Sequence, residues 1–152
     1  LLVSATTGTG RTVVTDRDSA YVDVEGDGVR WLEGGRYFLL RSDRSGWRRY
    51  YLHDRAGREL RQVTPDGADY LELVGVDEGA RVGYFTAAAP TAVERNVFRC
   101  ALDAGGRDAR CTRVTTGGGA HALDVAPGGR YAVHAVSRLG VPGTTTLVEL
   151  PS

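Results

Sequence analysis

The chain has 152 residues, the length of one ordinary domain, and its 41% hydrophobic and 25% charged content excludes a disordered polymer. Its 19 basic residues are all Arg and are matched by 19 Asp plus Glu. Most arginines sit beside acids, as in Asp16-Arg17-Asp18 and Asp43-Arg44, which excludes the net basic face of a nucleic-acid binder. No apolar run approaches the roughly 18–20 residues that cross a membrane as a helix. Lys, Ile and Met are absent, a bias that fits a GC-rich coding sequence. The chain opens on Leu1 with no basic-then-apolar leader, so it reads as a piece excised from a longer protein.

In chain order, residues 1–16 read as a strand, a Thr/Gly turn and a second strand, the outer hairpin of a sheet unit. A four-strand pattern then runs over 29–64, again over 70–115, and in incomplete form over 121–150. The turn residues Gly34, Gly79 and Gly128 lie 45 and then 49 apart, each followed two residues later by Arg36, Arg81 or Arg130. Val63-Thr64 closes one unit and Val114-Thr115 the next, 51 residues on. Tyr50 to Asp54 and Val97 to Leu102 occupy equivalent third-strand positions, and turns at Asp54-Arg55-Ala56-Gly57 and Gly105-Gly106 use glycine for positive φ. The Ala-rich stretch 86–93 is broken by Pro90 and makes no helix. A period of roughly 40–50 residues with about four strands per unit marks β-propeller blades. The expected fold class is therefore all-β, a partial β-propeller of about three four-stranded antiparallel blades. A ring this incomplete leaves raw faces and unpaired edges to be covered by other chain.

A two-residue loop at Gly105-Gly106 would set Cys100 directly across from Cys111 as a hydrogen-bonded pair about 5.5 Å apart at Cα, within disulfide range. The alternative is two reduced thiols packed as small apolar residues. A bonded pair implies an exported protein and a reduced pair a cytoplasmic one. No metal set accompanies the cysteines, since C-x-x-C and a neighbouring His pair are both missing. His53, His121 and His134 fall on or beside strands, and no G-x-S-x-G elbow supplies a nucleophile for His121 and Asp124 to serve. Gly117-Gly118-Gly119 lacks the Lys of a phosphate loop and reads as a connection between units. Asp77-Glu78-Gly79 reads as a hairpin bend. No catalytic residue, substrate contact, metal ligand or cofactor is assigned to this chain from its sequence.

Ser42-Asp43-Arg44-Ser45-Gly46-Trp47-Arg48-Arg49-Tyr50-Tyr51-Leu52 resembles the S-E-R-x-G-[WF]-R-H-L-Y stretch in the propeller of dipeptidyl peptidase IV-like serine peptidases, in the prolyl oligopeptidase clan. The resemblance continues in order through Leu73 to Glu78, Tyr84-Phe85-Thr86-Ala87 with Pro90, Glu94 to Arg99, and His121 to Ser137 with Pro142, covering most of 21–150. Within it, Ser42, Asp43, Arg44, Gly46, Trp47 and Arg48 carry the family motif. Asp43 stands where Glu is usual, Arg49 where His is usual, and Ala126-Pro127-Gly128-Gly129 replaces Ser-Pro-Asp-Gly. These changes preserve turn geometry.

The resemblance implies a noncatalytic segment that gates peptide access to an α/β-hydrolase domain elsewhere in the parent, which removes dipeptides from N-termini. It implies as partners the remaining blades and hydrolase domain, the parent's peptide substrates, and a second copy in a homodimer, with neither nucleic acid nor a membrane segment. The family's Arg near the substrate falls, by a gapless match, on Val24 and Glu25, so no substrate contact transfers. The alternative is a stand-alone propeller that acts as a protein-binding scaffold. A sugar-active propeller would need convergent carboxylates at its pore, and none recur at matching repeat positions.

Overall fold

The computed structural model describes residues 1–17, 28–103 and 109–151. Among these residues the chain forms thirteen strands in four antiparallel sheets, with a 3₁₀ turn at Glu33–Gly35 and no α-helix. The first sheet pairs β1 (Leu2–Val3) with β2 (Gly10–Arg11). The second is β3 (Val29–Leu32), β4 (Tyr37–Ser42), β5 (Arg49–Asp54) and β6 (Glu59–Gln62), in that order. The third is β7 (Asp69–Asp77), β8 (Val82–Ala88), β9 (Asn96–Ala101) and β10 (Cys111–Arg113), and the fourth is β11 (Ala120–Val125), β12 (Tyr131–Arg138) and β13 (Val141–Glu149). Each sheet is a meander of sequence neighbours. Successive meanders packed face to face are blades, so the chain is an all-β partial propeller.

Strand alternation explains the stacking. In β8, Val82 and Tyr84 join a cluster with Leu123, Ala132 and Leu150 of the fourth sheet. Phe85 and Ala87, on the other face of β8, join Leu39, Tyr50, Leu52 and Val63 of the second. Because both faces of the third sheet are covered, its strands are apolar on both sides and lose the simple in-out alternation of a one-sided sheet. The buried phenol of Tyr70 packs edge-on to Phe85 and Phe98, and burial pushes it up to about 12. At the rim of this seam Arg61 of β6 donates to the Ala101 and Asp103 carbonyls, both at 3.2 Å.

The repeated Val-Thr pair has a specific task. Val63 N–H donates to the Tyr50 carbonyl at 2.8 Å, and Tyr50 N–H donates to Thr64 Oγ1 at 3.0 Å. One unit later Val114 N–H donates to the Val97 carbonyl at 2.9 Å, and Val97 N–H donates to Thr115 Oγ1 at 3.1 Å. In both units the threonine hydroxyl stands in for a strand carbonyl, and Thr64 and Thr115 are buried.

Cys100 and Cys111 are opposed in the β9–β10 ladder and joined by a disulfide. The hydrogen-bonding phase differs from the one a two-residue turn imposes. Ala101 N–H donates to the Arg110 carbonyl, so the cysteines fall on a non-hydrogen-bonded pair with Cα atoms 4.1 Å apart instead of about 5.5 Å. The ladder is anchored from its far end, where Val114 and Thr115 seat on Val97. Gly105-Gly106 and Val24-Glu25 lie outside the described residues.

The repeated turns are also not identical. Gly34 and Gly128 have φ of 63° and 88°, whereas in the middle unit the positive φ falls on Arg81, at 53°. There Asp77 Oδ1 accepts from Ala80 N–H at 2.9 Å, closing the bend early and moving the left-handed residue to its end.

Thr64→Val removes the acceptor for a buried N–H and is expected to cost about 1–3 kcal/mol in urea unfolding. Thr64→Ser, which keeps the oxygen, should cost less than Thr64→Val. Equal losses for the two variants would show that the hydroxyl contributes no more than the methyl group.

Candidate functional site

The motif residues form the loop between β4 and β5. Ser42 Oγ accepts from Arg44 N–H at 3.2 Å, and Gly46, at φ 81°, donates its N–H to the Asp43 carbonyl at 2.8 Å. Asp43 pairs with Arg48 at 3.5 Å, so the shorter acid still reaches its partner. Arg44 pairs with Glu59 and lies over the Tyr51 ring. Arg48 ties the loop to the next sheet: its N–H donates to Asp69 Oδ1 at 2.9 Å and its carbonyl accepts from Tyr70 N–H at 3.0 Å. Arg49 is fully buried, donates to the Arg48 and Ala68 carbonyls, and reaches Asp66 at 3.4 Å. Trp47, at 49% exposure, is the one large apolar side chain of the loop left open to solvent.

β3, β7 and β11 open their respective sheets and lie at the sheet edges. A cavity of about 270 Å³ lies among them, lined by Arg30, Leu73, Val74, Gly75, Val125 and Pro127 among others. Two register shifts in β7, between Tyr70 and Glu72 and between Leu73 and Gly75, shape this wall. Such bulges re-aim side chains: Leu73 packs toward the second sheet and Val74 toward the fourth. At Gly75 the inner strands β7 and β11 approach closely, because a Cβ there would stand 2.4 Å from Val125 Cβ. Among the described residues, Arg30 is the only charged one lining the cavity. An apolar wall and one guanidinium can hold a peptide by packing and charge, and the described lining includes no carboxylate or imidazole to transfer a proton.

The other candidates disperse. His53 is buried, stacked on Phe38 with ring centroids 5.0 Å apart and with Nε2 3.8 Å from Glu59; burial pushes its pKa below the ordinary imidazole value. His121 packs on the side of β11 that faces the third sheet, and Asp124, three residues on along the strand, points to the opposite side. His121 instead meets His134, Nδ1 to Nε2, at 2.9 Å. Gly117 accepts from Arg113, and Asp77 is occupied by its own turn. Among the described residues no group of three or more His, Cys, Asp or Glu could hold a metal ion. Sequence reasoning missed the Gly75 contact, although a glycine inside an apolar strand is a known sign of close backbone approach.

Residues 1–143 match the family described as the dipeptidyl peptidase IV (DPP IV) N-terminal region. The chain belongs to this family. Among solved structures it is similar to dipeptidyl peptidase 4 of Porphyromonas gingivalis, at 23% identity and a TM-score of 0.81, over 97% of this chain and 20% of that one. A provisionally assigned dipeptidyl aminopeptidase IV from Bacteroides ovatus is similar at 18% identity and a TM-score of 0.62, over 80% and 19% of the two chains. TolB from Acinetobacter baumannii is similar at 17% identity and a TM-score of 0.57, over 82% and 30%. The chain thus spans about a fifth of the two peptidase-named chains. At these identities the structural likenesses establish fold alone, and the DPP IV N-terminal region match is what separates this chain from other proteins of similar shape.

Gly75→Ala should lower stability by about 1–3 kcal/mol through the clash with Val125. Val125→Ala in the same chain should recover part of that loss. A double-mutant cycle with no coupling would remove Gly75 from the seam.

Proposed function

We propose that this chain is the noncatalytic propeller portion of a serine peptidase that removes dipeptides from N-termini. On this reading its inner strands border the path by which peptides reach a hydrolase domain supplied by the rest of the polypeptide. The observation that carries the proposal is the match of residues 1–143 to the DPP IV N-terminal region. The inner-strand cavity supports it, because Arg30 and the apolar side chains lining it suit a passing peptide better than a reacting one.

The fourth sheet supports a larger parent. Tyr131, Val133 and Leu147 are 40%, 44% and 75% exposed on its outer face. Tyr131 and Val133 lie 49 residues beyond Val82 and Tyr84, which are buried against the next sheet. A further blade of the parent would cover them in the same way. The Cys100–Cys111 disulfide favours an oxidising compartment, hence export.

The isolated chain is expected to release no chromophore from Gly-Pro or Ala-Pro p-nitroanilides above buffer. The full-length parent should turn them over, and Arg30→Ala in that parent should raise KM for longer acidic peptides by roughly 3–10-fold with kcat unchanged. A parent with no peptidase activity would instead favour a propeller that serves as a binding scaffold.

A further inference from the structure

The chain carries equal numbers of basic and acidic residues, yet its ion pairs are unevenly placed. At the end of the sheets where first strands turn into second strands, arginines meet acids: Arg36 and Arg81 reach Glu33 at 3.5 and 3.4 Å, and Arg130 reaches Glu149 at 3.0 Å. At the opposite end, Arg113 from the close of β10 and Arg138 from the close of β12 converge on the loop Gly117 to Gly119. Arg113 Nη2 donates to the Gly117 carbonyl. Arg138 lies across the same loop, where a Cβ on Gly117 would stand 2.5 Å from its Nη2 and one on Gly119 would stand 2.6 Å from its Cγ. Among the described residues no carboxylate lies within ion-pair distance of either guanidinium.

We propose that the Gly117–Gly119 loop with Arg113 and Arg138 is a carboxylate-binding site, and that it takes an acidic peptide segment whose carboxylate has an apolar neighbour. Two guanidinium groups held against one loop repel each other, and an anion between them turns that repulsion into attraction. Their forked N–H groups match the two oxygens of a carboxylate. Glycine makes the arrangement possible, because a side chain at position 117 or 119 would push Arg138 off the loop. Both residues also have positive φ, 80° and 114°, which glycine adopts without strain. Among the described residues no main-chain carbonyl accepts from Gly117 or Gly118 N–H, so the loop adds donors of its own.

The surroundings favour a peptide over a free anion. The loop before β9 brings one acid, Glu94, whose Oε1 would stand 3.4 Å from a Cβ on Gly118, while its Oε2 accepts from Asn96 Nδ2 at 3.4 Å. The same loop brings the exposed Arg95, whose N–H donates to the Gly119 carbonyl at 3.2 Å. Three arginines therefore stand against one carboxylate. Each flank also carries a large apolar side chain in water: Val93, just before Glu94, is 88% exposed, and Leu139, just after Arg138, is fully exposed. An inorganic anion would satisfy the guanidinium groups and leave Val93 and Leu139 uncovered, whereas a peptide with a carboxylate beside an apolar side chain engages both kinds of group. The inference does not rest on the peptidase reading, because the charge and the apolar flanks belong to this chain whatever its parent does.

Titration of the whole chain with acetyl-Leu-Asp-Leu-Glu-Leu-amide, followed by amide NMR, tests the site. The Gly117, Gly118 and Gly119 amides should shift, and Arg113→Gln and Arg138→Gln should each raise Kd about tenfold. Arg36→Gln, at the ion-paired end, should leave Kd unchanged. The proposal is overturned if these amides stay still, if the Asn/Gln counterpart of the peptide binds as tightly, or if Arg36→Gln weakens binding as much as the other two. Inorganic phosphate binding as tightly as the peptide overturns the peptide assignment. Should a glutamine variant lose its folded spectrum, the side-chain Nε–H resonances of the wild-type chain decide the matter: those of Arg113 and Arg138 should move with peptide while that of Arg36 does not, and movement of neither overturns the proposal.

Discussion

A sheet that is apolar on both faces is stable only if another sheet covers each of them. The third sheet meets this condition with the second on one side and the fourth on the other, and no described helix is present to do the covering. Burial at roughly 25 cal/mol per Å² of apolar surface rewards each added sheet and leaves the last one wanting a neighbour. Packing, strand order and the position of the inner cavity follow from this requirement. Polar residues then fix how the sheets meet, since apolar faces alone do not select one register.

The two seams are fixed differently. Between the second and third sheets, Arg48 and Arg49 bind Asp69, Asp66 and Ala68 at one end, and Arg61 binds Ala101 and Asp103 at the other. The motif therefore reaches the next blade through Arg48 and the adjoining Arg49, while Ser42, Asp43 and Arg44 make their described polar contacts within their own loop and sheet. Between the third and fourth sheets the described contacts include hydrogen bonds from His121 N–H to the Arg95 carbonyl and from Tyr84 to the Pro151 carbonyl. A joint of arginines keeps its charge across the physiological range, whereas one of neutral groups has no charge to keep.

Much of this architecture is legible in the sequence because turns and strand composition are local signals. The spacing of Gly34, Gly79 and Gly128 announces the repeat, and Cys100 does lie opposite Cys111. What could not be read is set by contacts distant in sequence. The hydrogen-bonding phase at the cysteines is imposed by Val114 and Thr115, and the left-handed residue of the middle turn moves to Arg81 because Asp77 folds back on Ala80. The bulges of β7 shift its side chains between two neighbours, and no periodicity count over that strand reveals them. The histidines look scattered along the chain because their meeting depends on antiparallel pairing of β11 with β12.

The valine and threonine that end each unit satisfy the main chain of that same unit, at Tyr50 in one case and Val97 in the other. A stretch of coding sequence duplicated between these points would deliver a module whose own hydrogen bonds are already complete and whose two flat sides are ready to stack. Proteins assembled in this way can grow by whole modules, leaving the curvature of the ring to decide how many fit.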